Sequence, residues 1–288
     1  MTAHRATTLG AGAVVLWSML ALLTVGSAPV PPLQLNAMCF AIGGTLGLIW
    51  MAAAGTLGRL RALTLPALGF GVVGLAGYHL LYFTALRLAP PAEAGLIAYL
   101  WPLLIVLFSG LLPGETLRRG HLVGALLGLS GAALLIGAGF SGGAGAALGY
   151  ILALACALTW AGYSVLSRLM ADMPTEVVVI YCLVTAALSG LAHVLLETTV
   201  LPKDTLTWLS VIGLGLGPVG LAFFVWDIGV KRGDIQLLGV LSYAAPVLST
   251  GILVVAGLSE PTWRLALATL LITGGALLAA RASQIETS

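Results

Sequence analysis

The chain has 288 residues, 60% of them hydrophobic and 8% charged, with a net charge of +2. A mean hydropathy of +1.10 excludes a water-soluble globular domain. It reads as an all-α integral membrane protein with no nucleic-acid partner.

A spanning helix needs about 20 predominantly apolar residues. Ten runs meet or approach that length: Thr8 to Val25, Leu33 to Ala54, Leu65 to Leu86, Ala92 to Leu112, Gly120 to Gly137, Ala147 to Met170, Val177 to Leu196, Thr207 to Val230, Ile235 to Gly257 and Trp263 to Ala280. Only short loops remain. The 38 glycines fit close helix approach in lipid, and Cys39, Cys156 and Cys182, all inside apolar runs, read as small packing residues.

The first run carries Trp17 with Ser18 about halfway along, too deep for an interfacial anchor; a cavity wall and plain packing are the two readings. The second, with Gln34 and Asn36 near one end and Trp50 near the other, reads as scaffold with interfacial residues. In the third, Tyr78, His79 and Tyr82 share one side of a helix, and His79 is either a neutral packing residue or a polar substrate contact or titrating gate. Glu93 opens the fourth run and is either an exposed first-turn acid favoured by the helix dipole or a group for catalysis or coupling, the first reading being preferred.

Farther along the fourth run, Gly95 precedes Tyr99, Trp101 and Pro102. A proline at mid-membrane has no N–H to donate and clashes with the carbonyl four residues earlier, so it kinks or opens the helix. The freed groups must be covered by neighbouring helices or line a wet cavity. The fifth run is glycine-rich scaffold, and the sixth carries Trp160, Tyr163 and Ser164. His193 in the seventh reads as interfacial. In the eighth, Trp226 is followed by Asp227 four residues ahead of Lys231, the spacing of a local ion pair that is either structural or a gate. The ninth repeats the broken-helix pattern with Gly239, Tyr243 and Pro246; the tenth matches the fifth.

Gly95, Tyr99 and Pro102 recur as Gly239, Tyr243 and Pro246 at a constant offset of 144 residues, which also superposes Gly71 on Gly215 and Tyr82 on Trp226. With a shift of one residue, Glu115 meets Glu260. Residues 1–140 and 147–288 therefore read as two five-helix repeats joined by a glycine-rich linker, 141–146. An odd number of crossings inverts the second half, giving two inverted repeats around a central cavity near the midplane. If loops alternate sides, nine Lys and Arg fall on one side and three, Arg87 among them, on the other. That places both termini in the cytoplasm.

Soluble-enzyme signatures are absent: there is no phosphate loop, dinucleotide fingerprint, metal-spaced His/Cys cluster or nucleophile elbow. The expectation is a non-enzyme with no cofactor and no metal.

Ten short runs in two halves, the Trp17 and Trp160 helices, mid-helix Pro102 and Pro246, and Glu115 followed by Gly120 and a Gly-Ala-rich run resemble the EamA family of the drug/metabolite transporter superfamily. Within that family, Tyr78-His79 and Tyr99-Leu100-Trp101-Pro102 are similar to the YddG-type bacterial inner-membrane exporters of aromatic and other apolar amino acids. The resemblance implies a ten-helix basket around a cavity lined by runs one, three, four, six, eight and nine, working by alternating access. Small four-helix members of the superfamily couple drug export to protons through a glutamate in the first helix. Thr8 to Val25 holds no acid, so that coupling does not carry over.

The resulting expectation is an exporter of amino acids with large uncharged side chains, running by facilitated diffusion and compatible with a monomer. Its candidate substrate contacts are Trp17, Tyr78, His79, Tyr82, Tyr99, Trp101, Trp160, Tyr163, Trp226 and Tyr243. Its candidate hinges and gates are Gly95, Pro102, Gly239, Pro246, Asp227 and Lys231. A proton-coupled multidrug or metabolite exporter of the same fold and a non-transporting membrane partner or channel are the alternatives.

Overall fold

The computed structural model describes residues 1–136, 146–257 and 262–284. Apart from Ala146, the expected linker lies outside the described residues, as do Glu260 and the side chains of Arg87 and Glu93. No strand occurs among the described residues. Eight helices there are long and apolar enough to cross a bilayer: Ala3–Gly26, Pro32–Ala53, Leu65–Leu86, Ala147–Leu169, Thr175–Leu196, Thr205–Arg232, Ile235–Val255 and Trp263–Ser283. The molecule is a multi-pass, all-helical membrane protein.

Several crossings are interrupted. The first comprises α1 (Ala3–Ser18) and α2 (Leu20–Gly26), meeting at Met19; α3 (Pro32–Ala53) is continuous. In the third, α4 (Leu65–Val72) passes through a π turn at Val73–Gly77 into α5 (Tyr78–Leu88). Next come α6 (Pro91–Ala98), α7 (Trp101–Ser109), α8 (Arg119–Ile136), α9 (Ala147–Leu169) and α10 (Val178–Leu196). Then α11 (Thr205–Leu216) passes through a second π turn, Gly217–Leu221, into α12 (Ala222–Arg232). Last are α13 (Ile235–Leu241), α14 (Ala244–Val255) and α15 (Trp263–Gln284).

The chemistry of each break is local. Pro102 stands second in α7, where its missing N–H costs nothing because the first N–H groups of a helix have no internal partner. Its ring excludes a regular carbonyl four residues back, and α6 duly ends at Ala98. Pro246 acts alike: four residues back is Ser242, the residue that closes α13. The breaks therefore fall upstream of the prolines rather than at them. At the second π turn, Pro218 again removes a donor, and the wider turn leaves carbonyls for other partners.

Helices approach through glycines. A Cβ on Gly10 of α1 would lie 2.9 Å from the Gly229 Cα of α12, and one on Gly124 of α8 would lie 2.5 Å from the Gly275 carbonyl of α15. Only hydrogen fits at these crossings, which is how helices gain dispersion contact where lipid removes the hydrophobic drive.

The start of α1 and the end of α15 belong to one end of the bundle. There the Asp234 N–H donates to the Thr7 hydroxyl (2.8 Å), and an Arg118 guanidinium N–H donates to the Ala282 carbonyl (2.8 Å). Arg168 of α9 joins the same end, reaching the Glu115 carboxylate and the Gly233 carbonyl. At the far end, the Glu197 carboxylate accepts the Leu33 and Gln34 N–H groups at the start of α3. Gln34 exchanges two 2.9 Å bonds with the Val200 backbone, and Asn36 donates to Ser189 at 2.7 Å. His193, read as interfacial, stands in the last turn of α10 and is buried there between Glu197 (3.0 Å) and Thr199 (2.9 Å). Trp50 is 61% exposed, in keeping with an outward-facing position.

Candidate functional site

Trp17, the aromatic ring of α1, is surrounded by rings from three other parts of the chain. Trp101 of α7 meets it edge-on at 6.1 Å between centroids, Trp160 of α9 at 5.9 Å, and Trp226 of α12 is tilted against it at 5.1 Å. Edge-to-face pairs let the positive rim of one ring address the negative face of the next. Trp160 extends the group along α9 by stacking on Tyr163 at 5.3 Å, and Tyr163 stacks on Phe70 at 5.1 Å. From α5, Tyr78 leans on Trp160 at 5.5 Å and lies nearly parallel to Tyr82 at 6.0 Å. His79 stands perpendicular to Phe40 at 5.0 Å.

Thus Trp17, Tyr78, His79, Tyr82, Trp101, Trp160, Tyr163 and Trp226 come together in one nest. Tyr243 is set apart, wholly buried in a second apolar cluster with Val106, Ala125 and Ile272, and Tyr99 stands between the two groups, packed against that cluster and within electrostatic reach of Tyr78 and Tyr82. The Tyr243 hydroxyl accepts the Leu103 N–H (3.1 Å) at the start of α7, so it pins the break beside Pro102. Gly128 of α8 makes room for its ring. Gly239 lies against α7, where a Cβ would meet Val106 at 2.8 Å, whereas Gly95 has open space around it.

The polar atoms of the nest are tied to the π turns. The Trp17 indole N–H donates to the Pro218 carbonyl at 3.1 Å, and His79 Nδ1 lies 2.7 Å from the Leu75 carbonyl. A carbonyl can only accept, so Nδ1 carries a hydrogen, and in the neutral ring Nε2 is the remaining acceptor. Trp226 donates its indole N–H to the Ser164 hydroxyl at 3.1 Å. Glycine again makes the fit: a Cβ on Gly74, inside the first π turn, would lie 2.2 Å from the Tyr163 ring.

Below Tyr163, toward the start of α1, sits the Asp227–Lys231 pair at 2.9 Å, both side chains buried. Asp227 also accepts the Thr175 hydroxyl at 2.7 Å, and Lys231 donates to the Met173 carbonyl at 3.0 Å. A buried pair of this kind needs such additional bonds to offset its desolvation. Phe40 and Phe223, stacked at 5.4 Å, complete the wall of the nest. Neither was singled out as a contact in the sequence; for Phe40 the polar ends of its helix read as scaffold and gave no signal. Among the described residues, no three His, Cys, Asp or Glu side chains are grouped to hold a metal.

The EamA-like transporter family matches the chain twice, over residues 5–137 and 147–281. The chain belongs to the EamA-like transporter family. Family membership places it among transporters rather than enzymes. This EamA protein is 55% identical, over 97% of its length and 98% of the other's, to the aromatic amino acid exporter YddG of Ancylobacter novellus. It is 28% identical to the aromatic amino acid exporter YddG of Escherichia coli strain K12, over 96% of this chain and 97% of that one. A solved crystal structure with 54% identity covers 97% of the EamA chain, and 99% of its own, at a TM-score of 0.92.

Proposed function

We propose that this protein exports amino acids with aromatic and other large apolar side chains across the bacterial inner membrane, by alternating access. The observation that carries the reading is the nest of eight aromatic and imidazole side chains, gathered from α1, α5, α7, α9 and α12, in a chain 55% identical to a named aromatic amino acid exporter. Flat rings offer a flat substrate side chain stacking and edge contacts. The backbone groups released at the π turns and helix breaks are the natural partners for its ammonium and carboxylate, since broken helices present N–H and C=O ends. His79 Nε2 is a further acceptor for an ammonium group.

Two inverted five-helix repeats, at residues 1–140 and 147–288, underlie the mechanism. The π turns support this: Val73–Gly77 and Gly217–Leu221 are displaced by the 144 residues that separate Pro102 from Pro246. Ten crossings with both termini in the cytoplasm accord with the charge bias of the loops and with the start of α1 and the end of α15 lying at one end. Gly95, Pro102, Gly239 and Pro246 act as hinges, and the Asp227–Lys231 pair acts as a gate at the cytoplasmic end. With Asp227 held by Lys231 and Thr175, no deep acid is free of partners among those described, which favours downhill flux over proton antiport.

The test is uptake of labelled phenylalanine into liposomes carrying the purified protein, with and without a pH gradient. Saturable flux indifferent to the gradient is expected, and His79→Ala, Trp101→Ala or Tyr99→Ala should each lower it. Flux that requires the gradient would overturn the uncoupled mechanism. Absence of amino-acid flux alongside drug-dependent survival would favour the multidrug reading.

A further inference from the structure

A cavity of about 440 Å³ lies outside the aromatic nest, between α3, α10, α11 and α12. Its floor is made by glycines, Gly43 and Gly47 on α3 and Gly220 in the second π turn, and its rim by Leu46, Trp50 and Leu216. These three rim residues are 42%, 61% and 47% exposed and stand on helices that cross the apolar belt, so what surrounds the mouth is hydrocarbon. From Gly43 to Trp50 the groove runs about 10 Å along α3, at 1.5 Å per residue. It is lined almost wholly by apolar groups and follows α3, as a lipid tail lying along the helix would.

One end of the groove is charged. Glu176 lines it there and pairs with Arg59, which belongs to the turn Leu57–Ala62 just beyond α3. The Arg59 side chain is 59% exposed, and the bond to Glu176 uses only its Nη1. Arg61 on the same turn is exposed and has no ion-pair partner among the described residues. An apolar groove floored by glycines, with Arg59 and Arg61 on the turn beside its charged end, is complementary to a molecule with an apolar tail and an anionic head.

We propose that this groove seats one acyl chain of an anionic glycerophospholipid whose phosphate is held by Arg59 and Arg61. The tail lies against Gly220, in the same π turn whose Pro218 carbonyl takes the Trp17 indole. Occupancy therefore touches the joint of the aromatic nest without entering it. This site depends on the membrane-spanning fold and is independent of what the protein transports.

Trp50 supplies the probe. The protein and its Trp50→Phe variant are reconstituted into phosphatidylcholine vesicles doped with a few per cent of either dibrominated phosphatidylglycerol or dibrominated phosphatidylcholine, and the difference in quenching isolates Trp50. The anionic lipid is expected to quench with about a fivefold preference, the scale of one arginine near an anionic head. Arg61→Gln, alone or with Arg59→Gln, should reduce that preference. Leu46→Phe with Leu216→Phe fills the groove while keeping both arginines, and should abolish it in protein that elutes as the parent does. Equal quenching by the two lipids in the parent, or a preference that survives the filled groove, would overturn the proposal.

Discussion

The Leu103 N–H is third in α7 and has lost its intrahelical acceptor to the break before Trp101; the Tyr243 hydroxyl replaces it at 3.1 Å. Tyr243→Phe keeps the ring against Gly128 and removes only that acceptor. A buried N–H left without a partner costs about 1–3 kcal/mol, so the thermal transition in detergent should fall while the KM for phenylalanine stays unchanged. A raised KM with no thermal shift would place Tyr243 in substrate contact instead. Glu197, beyond the end of α10, offers a pH readout. Burial pushes its carboxyl up, but bonds from His193 and from the Leu33 and Gln34 N–H groups outweigh that, and the net direction is below the ordinary value. A carboxyl depressed in the folded state contributes stability above its unfolded pKa, about 4.3, and loses it as pH falls through the folded value. The thermal transition should therefore hold from pH 7 to about 5 and decline below about 4. Glu197→Gln should flatten that decline.

At the scale of elements, the π turns are what tie packing to the site. Gly74 inside the first turn receives the Tyr163 ring, which stacks on Trp160. In Gly74→Ala the new Cβ would lie 2.2 Å from that ring, so tyrosine or helix must shift. Overpacking of this kind costs about 1–3 kcal/mol. Because the displaced ring belongs to the nest, phenylalanine flux in liposomes should drop more than Gly162→Ala lowers it, since Gly162 on α9 has open space around it. Equal flux in the two variants would detach the turn from the site. These turns were not legible in the sequence, where the neighbouring Gly71 and Gly215 register only as a match between the two halves. A glycine cluster does not announce an extra residue in a helical turn. The aromatic members of the nest were legible because Trp17 and Trp160 lie too deep to be interfacial anchors. Phe40 was not, since one phenylalanine in an apolar run carries no positional signal. The two prolines marked the right helices, and the breaks fall upstream because a proline displaces the carbonyl four residues before it.

Across the whole molecule, alternating access requires the end that carries the start of α1 and the end of α15 to open and close around the nest. That end is held by Arg168 reaching Glu115 and Gly233, by the Asp227–Lys231 pair, and by the glycine crossing of α1 with α12. The crossing is the most exacting of the three, because ion pairs between flexible side chains tolerate small movements whereas two helices in backbone contact do not. In Gly10→Leu the side chain would enter a space where even a Cβ meets the Gly229 Cα and the Leu238 side chain at 2.9 Å. The helices can remain folded only by parting at that end, far along α1 from Trp17. Such a wedge should leave phenylalanine binding, read from tryptophan fluorescence, close to that of the parent, while flux into liposomes falls more than tenfold, the loss that about 1.4 kcal/mol against closure produces. Gly12→Leu, two residues on in the same helix with open space around it, is the matched control. Loss of binding together with flux would show that the crossing supports the nest itself, and unimpaired flux would show that this end stays shut throughout the cycle and that the gate lies elsewhere.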